Sequence, residues 1–106
     1  MKRQLIGGAV EAPVIIHGCW RTGNLTQKQS DELLVTALEN GIDYIDTADI
    51  YGGGKSEELL GKSVKNCIDR EKIKIQTKCA IHDGLYDFSY DYIIKAVDLS
   101  LKRLDT

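Results

Sequence analysis

The chain has 106 residues, enough for one small domain with a core of its own, and its composition is ordinary for a globular protein: 42 % hydrophobic, 28 % charged, one proline. A net charge of −2 with no basic run argues against a nucleic-acid or polyanion partner. No apolar stretch approaches membrane-spanning length, and Met1-Lys2-Arg3 leads toward a glycine pair rather than an apolar signal core, so the cytoplasm is the expected compartment.

Taken in chain order, Arg3 to Ile6 and Ala9 to Glu11 flank Gly7-Gly8 and predict a small hairpin. Val14 to Trp20 is a short apolar, β-branched run and predicts a buried strand. Thr26 and Gln29 have the spacing of a capping box, ahead of a helix that carries Leu34, Ala37 and Leu38 on one face, reaches about Asn40 and stops at Gly41. Ile42 to Thr47 reads as a second strand. Ser56 to Cys67 reads as a second helix, with Ser56 as its cap and two acids in its first turn. Ile73 to Lys78 reads as a third strand. Ser89 caps a third helix in which Ile94, Val97, Leu101 and Leu104 recur at helical spacing.

Strand followed by helix, three times over, predicts parallel strands joined by helical crossovers, an α/β fold. In such folds ligands sit at the carboxyl ends of the strands, which here are Gly18-Cys19-Trp20, Asp46-Thr47 and Lys78-Cys79. Alternate side chains of a strand face opposite sides. Tyr44 and Asp46 therefore share one side of the second strand, and Lys74, Gln76 and Lys78 one side of the third, with Ile73 and Ile75 turned toward the helices. If Trp20 lines the mouth, His17 faces the helices and is a packed histidine rather than a catalyst. Cys19, Cys67 and Cys79 have no metal-site spacing and read as reduced thiols, and His17 and His82 lie far apart with no cysteine partner, so no metal site is expected.

Residues 52–63, GGGKSEELLGKS, contain Gly-Lys-Ser twice, yet the glycine that opens a phosphate-binding loop five residues earlier is replaced by Asp49 in one case and Ser56 in the other. Asp46, Tyr51 and Lys78 form a more specific constellation. A phenol near its ordinary pKa of about 10 is a poor proton donor at neutral pH. A cation in hydrogen-bond reach stabilises the phenolate, and a carboxylate keeps that cation charged and in place. Asp, Lys and Tyr at neighbouring strand ends thus make a plausible general-acid unit for protonating a carbonyl oxygen while hydride reaches the carbon.

Gly41-Ile42-Asp43-Tyr44-Ile45-Asp46-Thr47-Ala48-Asp49-Ile50-Tyr51-Gly52, with Glu57 and Gly61 following, closely resembles the signature of the aldo-keto reductases. Gly18-Cys19-Trp20, Arg70-Glu71-Lys72 and Gln76-Thr77-Lys78-Cys79 match as well. The resemblance implies the N-terminal portion of a (β/α)8 TIM barrel whose floor is plugged by the small hairpin, so that residues 1–106 make a single partial domain. It implies NADPH bound without a separate nucleotide domain, and reduction of a small aldehyde or ketone. By residue matching, Tyr51 would be the general acid, with Lys78 and Asp46 as its tuning pair. Cys19 and Trp20 would lie by the nicotinamide, and Asp46 also near its ribose.

The family pattern adds a histidine at the end of a fourth strand, and further strands that hold the cofactor phosphates. Neither is found in these residues, where an eight-unit barrel needs about 200–250. Met1 and the hairpin read as a true amino terminus, so the missing units are expected on the carboxyl side. Weak or absent NADPH binding, little catalysis by these residues alone, and self-association or a complementing chain at the open strand edges are the corresponding expectations. A reading of a different class is a non-catalytic cofactor-binding or interaction module of the same fold.

Overall fold

A computed structural model describes all 106 residues. A hairpin, β1 (Arg3–Ile6) and β2 (Val10–Pro13), comes first. It is followed by β3 (His17–Gly18), α1 (Gln27–Glu39), β4 (Tyr44–Asp46), α2 (Lys55–Cys67) and β5 (Lys74–Gln76). A second hairpin, β6 (Ile81–His82) and β7 (Leu85–Tyr86), precedes α3 (Tyr90–Leu104). Strands β3, β4 and β5 form one parallel sheet in chain order, pairing His17 with Ile45, Gly18 with Asp46 and Asp46 with Gln76. Parallel strands joined by helical crossovers are the α/β arrangement that the strand-helix order predicts.

Local signals explain most of these boundaries. The capping box forms as the spacing predicts: Gln29 N–H donates to Thr26 Oγ1, and Gln29 Oε1 accepts from the Thr26 N–H. Helix α1 ends where Gly41 takes φ +79°, a left-handed angle that costs glycine little. Ser89 Oγ accepts from the Tyr92 N–H at the start of α3. Arg3 reaches Asp43 with Nη2 at 2.9 Å and so ties the first hairpin to the residue before β4, at the end opposite Asp46.

The core lies between one face of the sheet and the helices. It is built from Cys19, Leu34, Ile45, Leu60, Val64, Ile73 and Leu104, with Leu38, Ile68 and Ile75 against its rim. Each fully buried aliphatic side chain contributes about 1.5–3 kcal/mol. Gly61 explains the second Gly-Lys-Ser: a methyl group on it would stand 2.9 Å from the Leu104 backbone, so α2 and α3 touch only because the side chain is missing.

Three expectations need correction, and one element adds to them. Val14 to Ile16 are exposed rather than buried, and only His17 and Gly18 pair. The Val14 N–H is held by the Lys2 carbonyl, so this stretch still serves the hairpin, and parallel pairing starts where β4 offers Ile45. Ser56 does not cap α2. Gly54 precedes that helix with φ +97°, and the Ser56 hydroxyl is committed elsewhere. Of the stripe Ile94, Val97, Leu101 and Leu104, the first three are half exposed and only Leu104 is buried; Ala96 and Ser100 complete the buried face of α3, and Gly61 lets α2 meet its end at Arg103 and Leu104. Hairpin β6–β7 is an addition to the expected elements. Its signal is Asp83-Gly84 between two residue pairs, and both turn residues have positive φ, +49° and +74°.

Candidate active site

Asp46 and Gln76 stand side by side as the last residues of β4 and β5, with Tyr44 two residues earlier and Lys78 two residues later. Parity puts all four on the face turned away from the helices, and the side chains join there in one row. The Tyr44 hydroxyl donates to Gln76 Oε1 at 3.0 Å, and Gln76 Nε2 donates to Asp46 Oδ1 at 3.0 Å. Lys78 Nζ donates to both oxygens of Asp46, at 2.7 and 2.8 Å. The ladder continues beyond the strands, since the Thr47 N–H donates to the Gln76 carbonyl and the Asp49 N–H to the Lys78 carbonyl. Lys78 is therefore held through its backbone as well as its ammonium.

Tyr51 reaches this row through a short helical turn, Tyr51–Gly54, that runs directly into α2. Gly52, Gly53 and Gly54 have φ of +61°, +65° and +97°, so the turn needs three residues without a Cβ. Its fit is close: the Gly52 and Gly23 backbones nearly touch, and a methyl on Gly23 would lie 3.3 Å from Gly52 Cα. Ser56 ties these loops to the first strand end, because its Oγ donates to the Cys19 carbonyl at 3.0 Å and accepts from the Gly23 N–H at 3.1 Å. The Lys78 ammonium lies 5.1 Å from the centroid of the Tyr51 ring.

The charge balance favours the ammonium form of Lys78. Partial desolvation works to lower its pKa, but the Asp46 hydrogen bonds and the Tyr51 oxygen, with their charges, outweigh it and leave the pKa raised. The Lys78 and Asp46 side chains are 43 % and 30 % exposed, so the pair adds little to stability and its value lies in placement.

The structure thus brings Asp46, Tyr51 and Lys78 together. It does not bring the Cys19 side chain to them. That thiol is fully buried in the core on the helix side, where burial pushes it up to about 11. Only the Cys19 backbone touches the site, its N–H donating to the Asp46 carbonyl at 2.8 Å. His17, paired with Ile45, shares the helix side, and burial lowers its pKa. Trp20 is 70 % exposed, with the Arg21 guanidinium 5.7 Å from its ring. Gly18 stands opposite Asp46, and a Cβ there would meet nothing within 4 Å, so the flank of the carboxylate is open. Tyr44, Gln76 and Ser56 join the site without having been singled out from sequence. Strand parity carried a signal for the first two; nothing local did so for Ser56.

Beside Tyr51 and Lys78 lies a depression of about 320 Å³ walled by Ala48, Ile50, Ala80, Ile81, Tyr86 and Phe88. A separate hollow of about 490 Å³ between α2 and α3 is lined almost wholly by charged side chains and includes none of the three site residues.

Comparison with known proteins gives a consistent picture. The model for the Aldo/keto reductase family matches residues 14–106. Aldo-keto reductase YhdN of Bacillus subtilis is 37 % identical over 92 % of this chain and 32 % of its own length. A 6-dehydroglucose reductase of Novosphingobium aromaticivorans is 38 % identical over 96 % of the chain and 37 % of its own. Among solved structures, the holo form of aldo-keto reductase AKR11C1 from Bacillus halodurans superposes with a TM-score of 0.89 at 33 % identity, covering all of this chain and 37 % of that one. The chain spans about a third of the length of the curated relatives it matches.

Proposed function

This chain belongs to the aldo/keto reductase family, and from that premise we propose that it carries the proton-transfer centre of an NADPH-dependent carbonyl reductase. Tyr51 is the proton donor, Lys78 the cation beside it, and Asp46 the residue that keeps Lys78 charged and in place. The observation that carries this reading is the two-oxygen grip of Asp46 on Lys78 at 2.7 and 2.8 Å, with the ammonium 5.1 Å from the Tyr51 ring.

The residues present fit a nicotinamide cofactor in part. Asp46 Oδ2 accepts only from Lys78, so it can also receive a ribose hydroxyl. The open flank at Gly18 leaves room to approach it. The exposed Trp20 ring offers a flat apolar surface. The Cys19 thiol, buried in the core, can take part only through its backbone. When bound, NADPH would supply a hydride to the carbonyl carbon.

The residues of the chain then do the following. The Tyr51 hydroxyl gives its proton to the carbonyl oxygen, so that the oxygen gains the O–H bond that Tyr51 loses. The phenolate left behind is held by the Lys78 ammonium, and Asp46 keeps that ammonium from moving into solvent. The proton lost by Tyr51 returns from water. The apolar depression of Ala48, Ile50, Ala80, Ile81, Tyr86 and Phe88 lies where the body of a small aldehyde or ketone would rest. For residues 1–106 alone we expect little turnover and weak NADPH binding. The cytoplasm is the proposed compartment. No helix is long and apolar enough to cross a membrane.

Tyr51→Phe tests the assignment in the protein produced at the full length its gene encodes. Turnover of a simple aldehyde should fall by about 10²–10⁴-fold, while quenching of NADPH fluorescence on binding stays near wild type. Retained turnover would remove Tyr51 from its role. A wild-type protein that binds NADPH and reduces no carbonyl would instead favour the non-catalytic cofactor-binding module.

A further inference from the structure

Glu57 is the single acidic residue that is fully buried in this chain. It lies in the first turn of α2, and its side chain is hydrogen-bonded to Thr77 and Arg103 rather than to any of the three site residues. A buried carboxylate costs several kcal/mol unless its oxygens are paired, and here both are. Oε1 accepts from Thr77 Oγ1 at 2.6 Å, and Oε2 accepts from Arg103 Nη1 at 3.2 Å. Each partner leads to the site by a short path. Thr77 is bonded directly to Lys78. The Arg103 guanidinium packs against Gly54, where a methyl would stand 2.7 Å from Arg103 Nε, and Gly54 closes the turn that begins at Tyr51. One carboxylate therefore grips both the strand end that presents Lys78 and the turn that presents Tyr51.

We propose that Glu57, acting through Thr77 and Arg103, is a positioning residue that sets the placement of the Lys78 ammonium against the Tyr51 phenol. The proposal rests on the reading of Tyr51 and Lys78 as the proton-transfer pair. The Thr77 arm fixes the register of the strand end, and the Arg103 arm holds the glycine turn down. A carboxylate serves both because it offers one oxygen to each partner. A glutamine would keep one acceptor and turn an N–H toward the other.

The test uses the protein at its encoded full length, with Thr77→Val, Thr77→Ser and Glu57→Gln. Thr77→Val removes one hydroxyl at the edge of the network and leaves the Glu57–Arg103 pair intact, so it keeps the test valid if Glu57→Gln fails to fold. Two readouts are taken on each folded variant: steady-state reduction of a simple aldehyde, and the titration of Lys78 followed by NMR at its 13Cε. In Thr77→Val, kcat should fall by about tenfold or more with KM within about twofold of wild type. The Lys78 midpoint should drop toward that of an ordinary lysine, because the ammonium leaves Asp46 and Tyr51. Thr77→Ser, which keeps the hydroxyl, should restore both. An unmoved Lys78 midpoint in folded Thr77→Val overturns the proposal, whatever the turnover. So does a kcat loss that Thr77→Ser fails to recover. If the wild type reduces no carbonyl and the midpoint still drops, the positioning role of Glu57 stands and the proton-donor reading of Tyr51 falls.

Discussion

The two faces of the parallel sheet are built from alternate residues of the same strands, yet they differ in almost every physical respect. On the helix side, Cys19, Ile45 and Ile73 are buried and belong to one apolar cluster. On the other side, Tyr44, Asp46, Gln76 and Lys78 are part-exposed and joined by hydrogen bonds. Ile45 and Asp46 are neighbours in sequence, and one stabilises the fold while the other places a charge. The lesson is that a one-residue step along β4 moves from a position where volume matters to one where charge matters.

The contrast is most directly broken at Ile45. Ile45→Ala should cost about 2–5 kcal/mol, since it empties a fully buried site between sheet and helices. Urea denaturation reads the loss, and a change below about 1 kcal/mol would mean that the helix side is not the core. A smaller effect, of opposite sign, is expected at Thr47 on the same side. Its hydroxyl is buried with no hydrogen-bond partner. Thr47→Val replaces it by a methyl group of like shape and should raise stability by up to about 1 kcal/mol; a clear loss would show that the hydroxyl has a partner in solution.

On the open face the expectation for stability is smallest. Asp46→Asn should change it by about 0.5 kcal/mol or less at neutral pH, because the ion pair is well solvated, while aldehyde turnover falls sharply. The sign with pH follows from the raised pKa of Lys78. A group whose pKa is higher folded than unfolded stabilises fully below its unfolded value, about 10.4 for lysine, and loses that contribution as pH rises through the folded value. The small gap between wild type and Asp46→Asn should therefore close in strongly alkaline solution, and a gap that widens there would contradict the pairing.

Much of this arrangement is legible in the sequence. The Thr26–Gln29 capping box, the Ser89 cap, the parallel order of the strands and the shared side of Asp46 and Lys78 all follow from local chemistry or from the two-residue period of a strand. The features that are not legible depend on distant contacts. Ser56 looks like a helix cap because nothing in its own segment reveals that the Cys19 carbonyl, in another loop, claims its hydroxyl. The buried face of α3 includes Ala96 and Ser100 and only one residue of its longest apolar stripe, Leu104, whose backbone lies against Gly61. Cys19 sits in the family-like motif at a strand end, but its parity with His17 turns the thiol inward. The Asp83-Gly84 hairpin has a local signal that is easily missed, its arms being only two residues each.

The row from Tyr44 to Lys78 has a direction. Gln76 uses its carbonyl oxygen toward Tyr44 and its N–H toward Asp46. With both ends of its amide engaged, Gln76 is held in one orientation and fixes the Tyr44 hydroxyl and the Asp46 carboxylate against each other. Gln76 therefore transmits orientation from the Tyr44 hydroxyl to the Asp46 carboxylate. Asp46 is thereby aimed at Lys78 from two sides, by the Gln76 amide at one oxygen and by the Lys78 ammonium at both.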